Sequence, residues 1–280
     1  MAGRPGWPPR HAIVTGGTSG IGLAAARRLA ALGGQVSLLA VDGVDPALAT
    51  LRASRRRPTQ QLDGVQADVT DAGAVRAAAE ALAASHGACD LLLAAAGGAV
   101  PGLVDQLDEA VFRAQMELNY LGALHAVLAV LPAMAGGGGG RIVLVSSTLG
   151  VTGGFGYAAY SPAKFAVRGL AEALCTELRP WGILVSCAIP AATDTPGHAR
   201  EQRAKSELLR RAAPPGRLLA PDQVAAAILD GARRGRFLIC ADRRTRTLVR
   251  LSSVLAPLLR ARLDRAVKRA SMGPLERYHT

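Results

Sequence analysis

The 280-residue chain is 50% hydrophobic and 19% charged, which gives one large domain enough apolar surface to bury and excludes global disorder. Its net charge of +12 is uneven: residues 231–280 hold 13 Arg or Lys against Asp242, Asp264 and Glu276, leaving about +2 for the rest. No aromatic platform or recognition motif accompanies that charge, so nucleic-acid binding is not expected. Cys89, Cys175, Cys187 and Cys240 lack CxxC spacing and lie in no His/Cys cluster. This argues against a metal site and a disulfide framework and suits a reducing, cytoplasmic compartment.

Residues 1–10 carry no apolar run and do not read as a secretory signal. No stretch offers the ~18 uninterrupted apolar residues of a membrane span. A first strand is predicted over 11–15 and a helix over 21–32, which Gly33-Gly34 stops. Strands follow at 35–41, 62–67, 90–95, 141–147, 183–189 and 236–240. Helices are expected at 46–57, 72–85, near 108–134, and at 158–178, 199–212 and 221–232. The pentaglycine at 136–140 reads as a flexible surface loop. The alternation predicts an α/β fold: a Rossmann-type, doubly wound parallel sheet of about seven strands with helices on both faces. It occupies 11–242, with a substrate lid at about 197–220, and a basic amphipathic segment follows at 243–280.

Between the first strand and helix lies Thr15-Gly16-Gly17-Thr18-Ser19-Gly20-Ile21-Gly22. Gly16 permits a tight turn, and Gly20 and Gly22 let a pyrophosphate approach the backbone. The helix N-terminus then presents free N–H groups to the negative charge, and Thr18 and Ser19 can donate hydroxyls. Tyr160-Ser161-Pro162-Ala163-Lys164 places a phenol and an ammonium on one helical face. A free tyrosine titrates near ~10, and an adjacent cation is expected to lower that value. Ser147 ends the fifth strand, thirteen residues before Tyr160, and its hydroxyl can stabilise charge on a substrate oxygen. Ser146 points to the opposite face by strand alternation.

The TGxxxGxG turn with this serine, tyrosine and lysine resembles the short-chain dehydrogenase/reductase family over roughly residues 11–240. The resemblance implies a ketone reductase with Asn119, Ser147, Tyr160 and Lys164 as catalytic residues. Asn119 would organise a water beside Lys164, and Lys164 would also hold the cofactor ribose. It implies cofactor contacts at Gly16, Thr18, Ser19, Gly20, Ile21 and Gly22, at Val41, at the Asp68-Val69 pair, and at Ala96 and Gly97. Tyr160 and Lys164 join these, with Pro190, Thr193 and Thr195 after the sixth strand. The acid that favours NAD at the end of the second strand is replaced by Ala40, and NADPH is expected over NADH, although Val41 stands where the NADP-preferring arginine would be. The family's Asn-Ala-Gly is met here by Ala94-Ala95-Ala96-Gly97, a loss expected to loosen the local backbone.

Residues 155–197 narrow the resemblance to the branch that reduces a long-chain keto-amine lipid, 3-ketosphinganine, in sphingolipid synthesis. Other readings are a short-chain reductase for a 3-ketoacyl thioester or secondary-metabolite ketone, and a catalytically idle scaffold. A lipid substrate needs an apolar groove, and Leu208, Leu209, Leu218 and Leu219 of the lid are apolar, with Pro214-Pro215-Gly216 as a hinge. Leucines and valines among the arginines of 245–270 would let the tail lie on an anionic membrane surface, a peripheral placement, or pack on protein. The family resemblance also implies a homo-oligomer.

Overall fold

The computed structural model describes residues 6–212 and 216–271. Seven strands and ten α-helices alternate among these residues: β1 His11–Thr15, α1 Gly20–Leu32, β2 Gln35–Ala40, α2 Val44–Ser54, β3 Leu62–Gln66, α3 Ala72–His86, β4 Leu91–Ala94, α4 Glu109–Met116, α5 Gly122–Gly136, β5 Gly140–Val145, α6 Tyr160–Glu177, β6 Ile183–Ala188, α7 Pro196–Ala204, α8 Glu207–Ala212, α9 Pro221–Arg233, β7 Leu238–Ile239 and α10 Arg243–Ser271. All strand pairs are parallel, in the order β3-β2-β1-β4-β5-β6-β7. The order reverses between β1 and β4, which opens a crevice at the carboxyl ends of the strands.

The sheet is buried on both faces because its strands are apolar throughout and alternate residues serve different layers. Ala12, Val14, Leu91, Leu93, Val143 and Val145 pack with α1, α2 and α9. Ile13, Leu92, Ile142 and Leu144 face α3, α5 and α6. With few aromatics, the inter-layer space is closed by bringing helices near. Ala24, Ala25, Ala26 and Ala30 let α1 approach the sheet, where larger side chains would hold it off.

Several boundaries differ from the sequence expectation for identifiable reasons. Helix α2 ends at Ser54, and Arg55 is already extended (φ −64°, ψ 143°). Pro58 follows closely and disfavours helix at the residue before it. The helix expected at 199–212 is two helices. Pro196 and the Thr195 cap start α7 early, and Lys205 breaks it with an extended backbone. Strand seven shrinks to two residues.

The pentaglycine is not a free loop. Gly136 closes α5, and Gly140 is buried as the first residue of β5. Gly139 has φ +102°, and a Cβ there would lie 2.5 Å from the Gly182 carbonyl oxygen. Glu109–Gly136 is one helical stretch of 28 residues, long and apolar enough to cross a membrane. Here α5 packs on α3, β4 and β5, and the stretch carries the buried Asn119, so it serves as a core helix.

Candidate active site

The crevice is a cleft of about 440 Å³. The β1–α1 turn, the loops after β4, β5 and β6, and helices α6 and α7 line it. In the first turn Gly20 has φ +52°, and a Cβ would meet the Thr195 methyl at 2.9 Å. At Gly22 a Cβ would stand 2.2 Å from the Gly16 carbonyl oxygen. Ser19, the N-cap of α1, makes no side-chain capping bond, and the first turn of α1 holds no acid. The helix end therefore offers unopposed N–H groups to an anion. This glycine cradle and donor set fit a dinucleotide pyrophosphate.

The backbone after β4 is held firmly despite the missing asparagine, contrary to the expected loosening. The Thr15 hydroxyl oxygen accepts the Ala95 and Ala96 N–H groups at 3.1 and 3.2 Å. Asn119 continues the work two residues on, accepting from Gly98 N–H at 3.3 Å and donating to the Gly98 carbonyl at 3.0 Å. Asn119 sits in a π-helical turn, Glu117–Leu121, between α4 and α5. One added residue turns the side chain inward, a device common at functional sites. Gly97 lies between Asn119 and Lys164. A Cβ there would stand 2.6 Å from Asn119 Oδ1 and 3.2 Å from Lys164 Nζ.

Tyr160 opens α6 and Lys164 follows one turn later. Lys164 Nζ lies 5.7 Å from the Tyr160 ring centroid and donates to the Val145 carbonyl at 3.0 Å. Ser147 Oγ accepts from Leu149 N–H at 3.1 Å and is near enough to the Tyr160 phenol to favour its ionised form. Ser146 faces away, donating to the Lys164 carbonyl at 2.8 Å and anchoring α6 to β5. The expected lowering of the phenol by Lys164 is overturned. Burial pushes the Tyr160 phenol above its ordinary value, the nearby Ser147 hydroxyl works against that rise, and the Glu201 carboxylate adds to it. Burial likewise brings the Lys164 ammonium down to about 8. The phenol therefore stays protonated at neutral pH, the form in which a phenol can donate a proton.

Gly16, Ser19, Gly20, Ile21, Gly22, Ala96, Gly97, Ser147, Tyr160, Lys164, Pro190, Thr193 and Thr195 all line this one cleft. The Thr193 hydroxyl donates to the Ala191 carbonyl at 2.8 Å, and Thr195 Oγ1 caps α7 by accepting His198 N–H at 3.0 Å. Thr18 stands beside Gly43, just past the exposed Val41. Asp68 is exposed and accepts Thr70 N–H at 2.9 Å. Val69 is buried against Gly122, and its carbonyl accepts from His125 Nδ1 at 2.9 Å. The arginines after α2 stand at the other end of β2: Arg57 donates to the Gly33 carbonyl at 3.2 Å. That contact holds Arg57 at the end of β2 away from the cleft. In the lid, Leu209 is buried and Leu218 exposed, while Pro214 and Pro215 of the expected hinge lie outside the described residues.

The sequence reading missed a second group in the cleft. Glu201 of α7 accepts a hydrogen bond from the Tyr157 hydroxyl. Its carboxylate lies 3.6 Å from His198 Nδ1 and 3.9 Å from Lys205 Nζ. The signal was present as spacing: 198, 201 and 205 share a helical face, and Tyr157 precedes Tyr160 by three residues.

A doubly wound sheet with a glycine cradle at its switch point, and a serine, tyrosine and lysine beside it, defines a dinucleotide-dependent oxidoreductase. Residues 10–206 match the short chain dehydrogenase family. The chain belongs to that family. It is 42% identical over 173 residues to a 3-ketodihydrosphingosine reductase of Dictyostelium discoideum, covering 61% of this chain and 52% of that one. It is 36% identical over 230 residues to a 3-dehydrosphinganine reductase of Danio rerio, covering 81% of this chain and 69% of that one. The matched segment thus spans about half of the first relative and about seven tenths of the second. Among solved structures, a short chain dehydrogenase/reductase from Burkholderia phymatum in complex with NAD superimposes with a TM-score of 0.76 at 27% identity, covering 92% of this chain and 96% of that one.

Proposed function

We propose that the chain reduces the ketone of a long-chain amino ketone, 3-ketosphinganine or a close analogue, with NADPH. The observation that carries this reading is the convergence of Ser147, Tyr160 and Lys164 in a cleft beside the glycine cradle, in a chain similar to reductases of that name. A reduced nicotinamide supplies hydride to the carbonyl carbon. The protein supplies the proton. Tyr160 gives its phenolic proton to the carbonyl oxygen, and Ser147 donates a hydrogen bond to that oxygen as charge develops. Lys164, with Asn119 across Gly97, is placed to stabilise the phenolate and return a proton to it. Gly16, Ser19, Gly20 and Gly22 would hold the pyrophosphate, and Thr195 the nicotinamide end.

The choice of NADPH rests on Ala40 ending β2 without an acid to pair the adenine ribose hydroxyls. The protein is proposed to be cytoplasmic and to touch the anionic membrane face through α10, whose Val254 and Leu258 are strongly exposed among arginines. It is proposed to form a homo-oligomer through α5 and α6, where Leu128 and Phe165 are exposed. The deciding assay supplies 3-ketosphinganine in detergent with NADPH or NADH, beside soluble ketones. Oxidation of NADPH on the lipid ketone is expected. Turnover confined to the soluble ketones would assign the enzyme another substrate.

A further inference from the structure

The cleft holds a carboxylate that reduction of a ketone does not require. Glu201 projects from α7 with 18% of its side chain exposed, and it is close enough to raise the Tyr160 phenol. Tyr157 lies beside it, 6.2 Å from Tyr160 between ring centroids. A cation near Glu201 would thus meet a carboxylate and an aromatic face together, and both attract positive charge. One cation on this chain does so: Lys205 Nζ sits 3.9 Å from Glu201 Oε1 and 5.5 Å from the Tyr157 centroid. Its side chain is only 5% exposed. Burial lowers the lysine's pKa more than Glu201 raises it, so the ammonium is incompletely compensated there. Lys205 also lies on the extended break between α7 and α8, a point about which a side chain can be re-aimed.

We propose that Glu201 and the Tyr157 ring recognise a protonated amine on the carbon next to the substrate ketone, and that Lys205 competes with that amine for the carboxylate. The inference rests on the amino-ketone reading above and adds to it the group that selects the amine. A ketone polarised by Tyr160 and Ser147 would place a neighbouring ammonium within the same cleft of about 440 Å³ that Tyr157 and Glu201 also line. Exchange of one ammonium for another leaves the charge count of the cleft unchanged. It also removes a poorly solvated lysine from the wall.

The test compares kcat/KM for 3-ketosphinganine with that for a ketone of the same chain length lacking the amine, both in detergent with NADPH. The wild type should favour the amino ketone. Glu201→Gln should reduce that preference by about tenfold or more, since a site built to pair a group loses most when the pairing is removed. Lys205→Met should raise the preference, a change of opposite sign that a general loss of folding cannot produce. Equal losses on both ketones in Glu201→Gln would mark Glu201 as a holder of Tyr157 and overturn the proposal. A lowered preference in Lys205→Met would overturn the competition. If the wild type reduces soluble ketones but no long-chain amino ketone, the functional reading itself fails, a result distinct from either.

Discussion

At the scale of single residues, the groups proposed to react divide into one that would carry a proton and those that would keep the carrier usable. Replacing Tyr160 by Phe removes one oxygen from a half-buried side chain that lines the cleft. Turnover is expected to fall about 10³-fold or more, with dinucleotide binding, followed by nicotinamide fluorescence, changed little. Undiminished activity would place the acid elsewhere. Lys164 makes a pH prediction. Its ammonium is brought down to about 8 by burial, so it is charged below that pH and neutral above it. If the charged form supports catalysis, kcat/KM for reduction, which reports the free enzyme, falls as pH rises through about 8. A profile flat to pH 10 would remove the charge from the mechanism. These residues were legible in the sequence because their chemistry is tied to spacing along a strand and one helix. Glu201 and Lys205 were marked only by their i, i+4 spacing, and Tyr157 joins them only when α7 folds over the loop before α6. The wrong direction for the Tyr160 pKa has the same origin: burial is a property of the packed site, and spacing carries no measure of it.

At the scale of elements, the alternation of β1 to β6 with their helices followed directly from apolar runs and glycine stops. The errors fell where one residue changes the geometry without changing the pattern. A π turn adds a single residue to a helical period, so Asn119 reads as an ordinary helix position, yet that turn aims it at Gly98. The glycines between α5 and β5 show the converse, since identical residues there have different duties. Gly136 ends the helix, and a Cβ on it would meet nothing within 4 Å. Gly136→Ala is expected to stabilise the protein by about 0.5–1 kcal/mol. Gly139→Ala combines a left-handed φ with a collision against Gly182 and is expected to cost about 1–3 kcal/mol. Urea midpoints measure both, and equal effects would show that the segment behaves as the free loop its composition suggests.

At the scale of the whole molecule, the basic end of the chain is joined to the domain more closely than the charge count indicated. Thr245 and Val249 are buried, and α10 packs on α8, so the first turns of that helix belong to the fold. Beyond them Val254 and Leu258 are exposed with Arg260, Arg262 and Arg265 nearby in sequence. Changing those three arginines to Gln should weaken binding to vesicles containing anionic lipid about 100-fold, at roughly 1 kcal/mol for each charge. Circular dichroism should remain that of the wild type. Unaltered vesicle binding would assign the helix to protein packing. The division between α6 and α7 has another consequence. The proposed proton donor is set on α6, which is locked to the sheet by Ser146, while the proposed amine-selecting carboxylate rides on α7, attached by short loops at both ends. Selectivity is therefore a replaceable part: exchanging α7 for the equivalent helix of another family member should redirect the enzyme to a different ketone while its chemistry continues undisturbed underneath.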